Sequence, residues 1–224
     1  MGLLGADFRS DFANGARRFA FTRARVLSES SAPGWLIIPK NDESDFAEVC
    51  LPDSLEYFPI APGDRWLLDG SIELGTESKL ERLWLVDTGS VDLYAITHEF
   101  RESILRQIKK SGGIVEDNIV NNCQRVLDSN ISPLIYVIGS GDKKMEFIIP
   151  HKQMEGENTE WNRAFGSPYL VYHKYSDSCT IILGEDGELN AGSIQLLPAQ
   201  IFQFFTTVFN KRNNRIGFCK PVDS

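Results

Sequence analysis

Leu85-Val86-Asp87-Thr88-Gly89-Ser90 places a carboxylate at the end of an apolar run and inside a tight turn. Asp, Gly and Ser are ordinary turn residues, so on composition alone the segment also reads as a plain hairpin loop. The other residues with chemical capacity are dispersed. Asp69, Glu77 and Lys79 have the order of a carboxylate followed by Glu-x-Lys, a set that can hold Mg²⁺ and activate water. Glu77-Ser78-Lys79 adjoins Gly75-Thr76, however, and reads as a polar turn rather than an apolar strand. His98, His151 and His173 lack the spacing of a metal site. Cys50, Cys123, Cys179 and Cys219 contain no Cys-x-x-Cys pair, which argues against a zinc site or a thioredoxin-type motif. Their even number permits disulfides without requiring them. Ser140, between Gly139 and Gly141, has no identifiable base and reads as a turn residue, not a nucleophile.

The elements that must position these residues are mostly strands. Short apolar runs separated by turn residues predict strands at Phe19–Val26, Gly34–Ile38, Glu56–Ile60, Asp64–Leu68, Arg82–Val86, Val91–Ile96, Leu134–Ile138, Met145–Ile149, Tyr169–His173, Cys179–Leu183 and Ser193–Leu197. Tight turns are expected at Gly139-Ser140-Gly141-Asp142 and Gly184-Glu185-Asp186-Gly187. Helical spacing predicts a helix from a Thr97 cap to about Lys110, with Phe100, Ile104, Leu105 and Ile108 on one face and Gly112-Gly113 ending it. A shorter helix is expected around Val120–Leu127, and Phe8 and Phe12 share helical spacing near the start. Lys152–Gly166 reads as a surface loop, with Trp161 as its packed anchor.

Bulk properties narrow the function. At 224 residues the chain can bury a substantial core, and 42% hydrophobic with 24% charged residues is an ordinary globular composition. A net charge of −8 argues against a general nucleic-acid binder, which needs a cationic face. The acidity is local: residues 29–81 hold twelve Asp or Glu against Lys40, Arg65 and Lys79, which reads as a solvated face. No apolar stretch reaches the roughly 18 residues of a membrane span. Met1–Asp7 shows no signal-peptide pattern.

The order of features around Asp87 resembles the C-terminal lobe of a pepsin-like aspartic protease. In that family an Asp-Thr-Gly or Asp-Ser-Gly loop is soon followed by a helix, as Thr97–Lys110 would follow Asp87. The ending Phe204-Phe205-Thr206-Thr207-Val208-Phe209, then Asn210-Lys211-Arg212-Asn213-Asn214-Arg215-Ile216-Gly217-Phe218, is similar to the family's C-terminal signature. Gly34–Ile38, Leu55–Ile60 and Arg65–Leu68 resemble strands preceding the catalytic loop, and Leu3-Leu4-Gly5 resembles the end of a preceding lobe. The resemblance implies a mainly β fold, one lobe of antiparallel strands with a few short helices, over residues 19–224, with 1–18 a remnant of the N-terminal lobe. It implies a disulfide between Cys123 and Cys179, leaving Cys50 and Cys219 to pair or stay buried as thiols. It also implies a secretory, vacuolar or extracellular location.

The implied chemistry is peptide-bond hydrolysis without metal or cofactor. Two aspartates a few ångströms apart cannot comfortably both ionise and so share one proton. The ionised partner takes a proton from water as that water attacks the peptide carbonyl, and the protonated one donates to the carbonyl. By this resemblance Asp87 would be the catalytic carboxylate of this lobe. Thr88 would lock two such loops together, Gly89 allows close backbone approach, and Ser90 would orient the carboxylate. No other Asp-Thr-Gly or Asp-Ser-Gly occurs, so the second aspartate must come from an N-terminal lobe or a second copy of the chain. The family's apolar-apolar-Gly strand beneath the loop reads Leu196-Leu197-Pro198 here, where Pro198 either crowds the loop or begins a helix. The expected partner is a peptide or protein substrate. The alternative is a non-catalytic pseudo-protease lobe serving as a structural or protein-binding module.

Overall fold

The computed structural model describes residues 18–23, 34–39, 46, 48–63, 65–76, 78–86, 94–153, 163–185, 194–197, 201–202 and 204–222. Phe8, Phe12 and all of 1–17 lie outside that set, as do Asp87–Leu93, Trp161 and Pro198.

A five-stranded antiparallel sheet joins β1 (Arg18–Arg23), β2 (Gly34–Ile37), β3 (Glu56–Pro59), β16 (Thr206–Asn210) and β17 (Arg215–Cys219) in the order β2-β1-β16-β17-β3. One face carries Phe19, Phe58, Phe209, Ile216 and Phe218 into the main core. The other carries Ala20, Val208 and Cys219 into a small second core with Phe46 and Cys50. Period-two alternation therefore serves two cores rather than a core and solvent.

The second sheet contains β4 (Leu67–Leu74), β5 (Ser78–Leu85), β9 (Leu134–Ser140), β10 (Lys143–Ile149), β11 (Arg163–Phe165) and β15 (Ile194–Leu196), ordered β11-β10-β9-β4-β5-β15. Its β11 and β15 edges pair in parallel and its inner ladders are antiparallel. A third sheet orders β12 (Leu170–His173), β13 (Ser178–Ile181), β8 (Ile119–Asn121) and β7 (Ile114–Glu116) as β12-β13-β8-β7, and β14 (Leu183–Glu185) pairs in parallel with β6 (Tyr94–Ile96).

Helix α1 (His98–Lys110) begins where the Thr97 hydroxyl accepts from the Phe100 N–H. Its buried stripe is Phe100, Ile104, Leu105 and Ile108, and Gly112 at φ +91° follows its end. Helix α2 (Cys123–Leu127) is shorter than the expected Val120–Leu127, because Val120 belongs to β8 and Asn122 turns the chain through φ +57°. The expected strand at Asp64–Leu68 is displaced to β4, Leu67–Leu74. Cys179–Leu183 divides into β13 and β14. Gly184 and Glu185, expected in a turn, end β14, and Arg163–Phe165, expected in a loop, forms β11 along β10. The hairpin at Gly139–Asp142 forms between β9 and β10, with Gly139 at φ +84° where an added Cβ would meet the Phe58 ring.

Candidate active site

Asp87, Thr88, Gly89 and Ser90 lie outside the described residues, but the frame on either side of them is well defined. β5 brings the chain to them. Leu80 and Trp84 pack inward, and Trp84 has no exposed surface. Leu85 accepts a hydrogen bond from the N–H of Leu197, just beyond β15, at 3.0 Å. The Val86 N–H donates to Trp66 at the entrance of β4, at 2.9 Å. Trp66 is itself held edge-on by Phe19 and Phe209 of the first sheet, at centroid distances of 5.9 and 4.9 Å. The strand thus leaves the sheet at Val86 between β4 on one side and β15 on the other.

The downstream end is also anchored. After the seven residues 87–93, β6 pairs with β14 through Tyr94↔Leu183 and Glu185↔Ile96, and α1 follows at once. β14 continues from β13, where Cys179 is joined to Cys123 at the start of α2, with Cα atoms 5.7 Å apart. Cys50 and Cys219 form a second disulfide, with Cα atoms 5.4 Å apart and a sequence separation of 169. The alternative of two buried thiols is therefore set aside. Both anchors of the 87–93 segment rest on parallel strand pairs, which only long-range chain returns can make.

The remaining candidates are not brought together. Asp69 faces Leu83 across the β4–β5 ladder and Lys79 faces Glu73, four residues further along, roughly 13 Å away at strand spacing. Ser78 and Lys79 begin β5 rather than occupying a turn, and Lys79 lies 3.1 Å from Glu81 and 3.7 Å from Glu73. These carboxylates, Glu81 foremost, raise the Lys79 pKa, which makes the lysine a cross-strand ion-pair partner. Among the described residues no group of three or more His, Cys, Asp or Glu is arranged to hold a metal.

The histidines are separate. His98 opens α1 exposed, and His173 Nε2 shares a 2.8 Å hydrogen bond with Thr180 Oγ1 on β12–β13. His151 is buried after β10 with Nε2 3.4 Å from the Leu127 carbonyl. Ser140 lies in the β9–β10 hairpin. No described helix is long and apolar enough to cross a membrane.

Sequence reasoning passed over two residues of the frame. Gly70 in β4 and Trp84 in β5 act together: the indole Nε1–H donates to the Val137 carbonyl of β9 at 2.7 Å, across the strand between them. An added Cβ on Gly70 would collide with both the Val137 carbonyl and the indole. The signal that could have found this pair was Gly70 between the apolar Leu67-Leu68 and Ile72, since a glycine inside a strand marks a close approach of another group.

No family model matches the sequence, and no curated protein matches it. Among solved structures, the chain is similar to the crystal structure of an aspartic proteinase from Irpex lacteus, with a TM-score of 0.57 and 18% identity over 91% of this chain. The chain spans 56% of the length of that protein. At this identity the likeness is one of fold: mainly β, with two short helices among the described residues, matching one lobe of an aspartic protease.

Proposed function

We propose that this chain is the C-terminal lobe of a pepsin-like aspartic endopeptidase, with Asp87 as one of two catalytic carboxylates. The observation that carries the reading is the motif's place in the sequence, directly after the held end of β5. Asp87-Thr88-Gly89-Ser90 follows directly on the β5 end held between Trp66 and Leu197, in a chain with the fold of an aspartic protease lobe. A carboxylate there would follow a strand end whose Leu85 and Val86 backbone is held on both sides, and preorganisation of that kind is what water activation needs. In this reading residues 19–224 form the lobe and 1–18 the end of the preceding one.

The second aspartate comes from an N-terminal lobe or from another copy of the chain in a two-fold pair. The dyad then shares a proton, and the bound water attacks the peptide carbonyl as one carboxylate takes its proton and the other donates. Thr88 ties the two loops, Gly89 permits their close approach and Ser90 orients the carboxylate. The substrate is a peptide or protein, and no metal or cofactor is needed. Two disulfides suit an oxidising route, so the protein is assigned to a secretory, vacuolar or extracellular compartment.

The test is cleavage of a quenched fluorescent peptide library between about pH 3 and 7, where a carboxylate dyad can share a proton. The chain is assayed alone and with any polypeptide that co-purifies. Cleavage should be reduced at least about a thousandfold in Asp87→Asn, since half a dyad cannot relay the proton. Absence of cleavage from well-folded protein in every preparation would favour the non-catalytic lobe.

A further inference from the structure

Three consecutive residues at the end of β5 are held by three different segments. Trp84 reaches β9 through its indole, the Leu85 carbonyl is held by Leu197, and the Val86 N–H is held by Trp66. The two backbone bonds are what any strand end of this kind makes. The side-chain bond needs an indole at position 84 and an open passage at Gly70.

Trp84 stands opposite Leu68 on β4 and Gln195 on β15, yet its hydrogen bond ends on β9, one strand further away. The indole therefore leans along β4 by two residues and crosses at Gly70, which stands opposite Arg82. Tyr136 closes over it at a centroid distance of 5.3 Å and a tilt of 49°. With the ring fully buried, any slide or twist of the β5 end would leave a buried N–H unmade, which costs far more than a surface bond.

We propose that Trp84 is a positioning residue for the Asp87 loop, its indole N–H fixing the height and twist of the strand end from which Asp87 emerges. Gly70 is the passage that makes the bond possible. The proposal rests on the reading of Asp87 as a catalytic carboxylate, but its test does not depend on turnover. Ladder bonds set the register of β5, and the indole adds a diagonal restraint across β4 to β9, three residues before the carboxylate in sequence. Displacements of about 1 Å at a reacting group cost on the order of a hundredfold in rate.

The experiment replaces Trp84 in the full chain with benzothienylalanine, which keeps the bicyclic shape and removes only the donor. Trp84→Phe serves as a coarser second variant. The carbon-13 resonance of the Asp87 carboxyl is followed from pH 2 to 8, with the amide shifts of residues 88–90. The expected result is a displaced Asp87 titration midpoint and shifted 88–90 amides in the isostere, with a smaller change in distant amides. In the preparation that cleaves peptide, kcat should fall about tenfold or more with KM within about twofold. An unchanged Asp87 titration and unchanged 88–90 amides, alongside a lowered melting temperature, would make Trp84 a core residue only and overturn the proposal. Loss of cleavage in every preparation, with the Asp87 titration still displaced, would count against the endopeptidase reading and leave the positioning role standing.

Discussion

Gly70 stands where the central sheet leaves no room for a Cβ. Its missing Cβ is occupied by the Trp84 indole and the Val137 carbonyl, one of which is backbone and cannot rotate away. Gly70→Ala should therefore destabilise the protein by about 3 kcal/mol or more, at the upper end of overpacking, although alanine is ordinarily tolerated in strands. Urea denaturation would measure it, and a loss below about 1 kcal/mol would show that β4 and β5 can separate at that point.

His151 gives a prediction of the opposite kind, set by proton binding. Burial foremost, aided by the charge of Lys152, lowers its pKa below the ordinary 6.5, against the pull of the carbonyls of Leu127, Ser129 and Ile131. The unfolded chain therefore binds the proton more tightly, so stability rises with pH across this titration. The contribution is complete above about pH 6.5 and is lost as the pH falls from there through the lower folded-state value. Calorimetric melting temperatures from pH 8 to 4 should show this step. Subtracting the same series for His151→Gln isolates it from the carboxylates that titrate below, and identical series would remove His151 from the account. An enzyme working at acid pH would carry this penalty throughout its range.

At the scale of elements, α1 was legible because every local signal agrees: a Thr97 cap, a buried stripe at helical spacing, Lys109 and Lys110 in the last turn, and Gly112 beyond it. Thr97→Ala should cost about 1 kcal/mol, read from the urea midpoint, because it removes the acceptor for the Phe100 N–H. Thr97→Ser should recover most of that loss. The strands were less legible where tertiary pairing overrides composition. The polar Asp69-Gly70-Ser71 segment lay outside the strand expected at Asp64–Leu68. In the fold it is the middle of β4, since Gly70 is there for the indole and Ser71 is buried against β9. The three-residue strands β7 and β8 escaped although they form a local hairpin across Asp117-Asn118, because Val120 is the one fully buried residue of the six. Strand β11 escaped because its partner β10 lies across a long polar segment. The Asp87 motif was legible in the sequence only as an expected turn. Its frame was not, because Trp66, Leu197 and Val137 are joined to β5 only by folding.

At the scale of the whole molecule, the two disulfides constrain the chain over very different distances. Cys50–Cys219 closes a loop with a sequence separation of 169, and Cys123–Cys179 one of 56. The first stitches the 46–57 segment onto the outer face of the five-stranded sheet, where Cys50 and Cys219 share the small second core with Phe46, Ala20 and Val208. The second closes α2 onto β13, the strand that runs on into β14 and so supports β6 beside the Asp87 segment. In the chain-entropy account a cross-link stabilises by limiting the unfolded ensemble, by about 5 kcal/mol for the longer loop and about 4 for the shorter. Their ratio of loop lengths fixes the difference at about 1 kcal/mol. The double variant Cys50→Ala/Cys219→Ala should accordingly lose about 1 kcal/mol more than Cys123→Ala/Cys179→Ala in guanidinium unfolding. A reversed order would mean that native packing around Cys123 and Cys179, both fully buried beside Val120, outweighs loop closure. The sheet supporting the Asp87 segment would then hold more of the stability than the sheet joining the two ends of the chain.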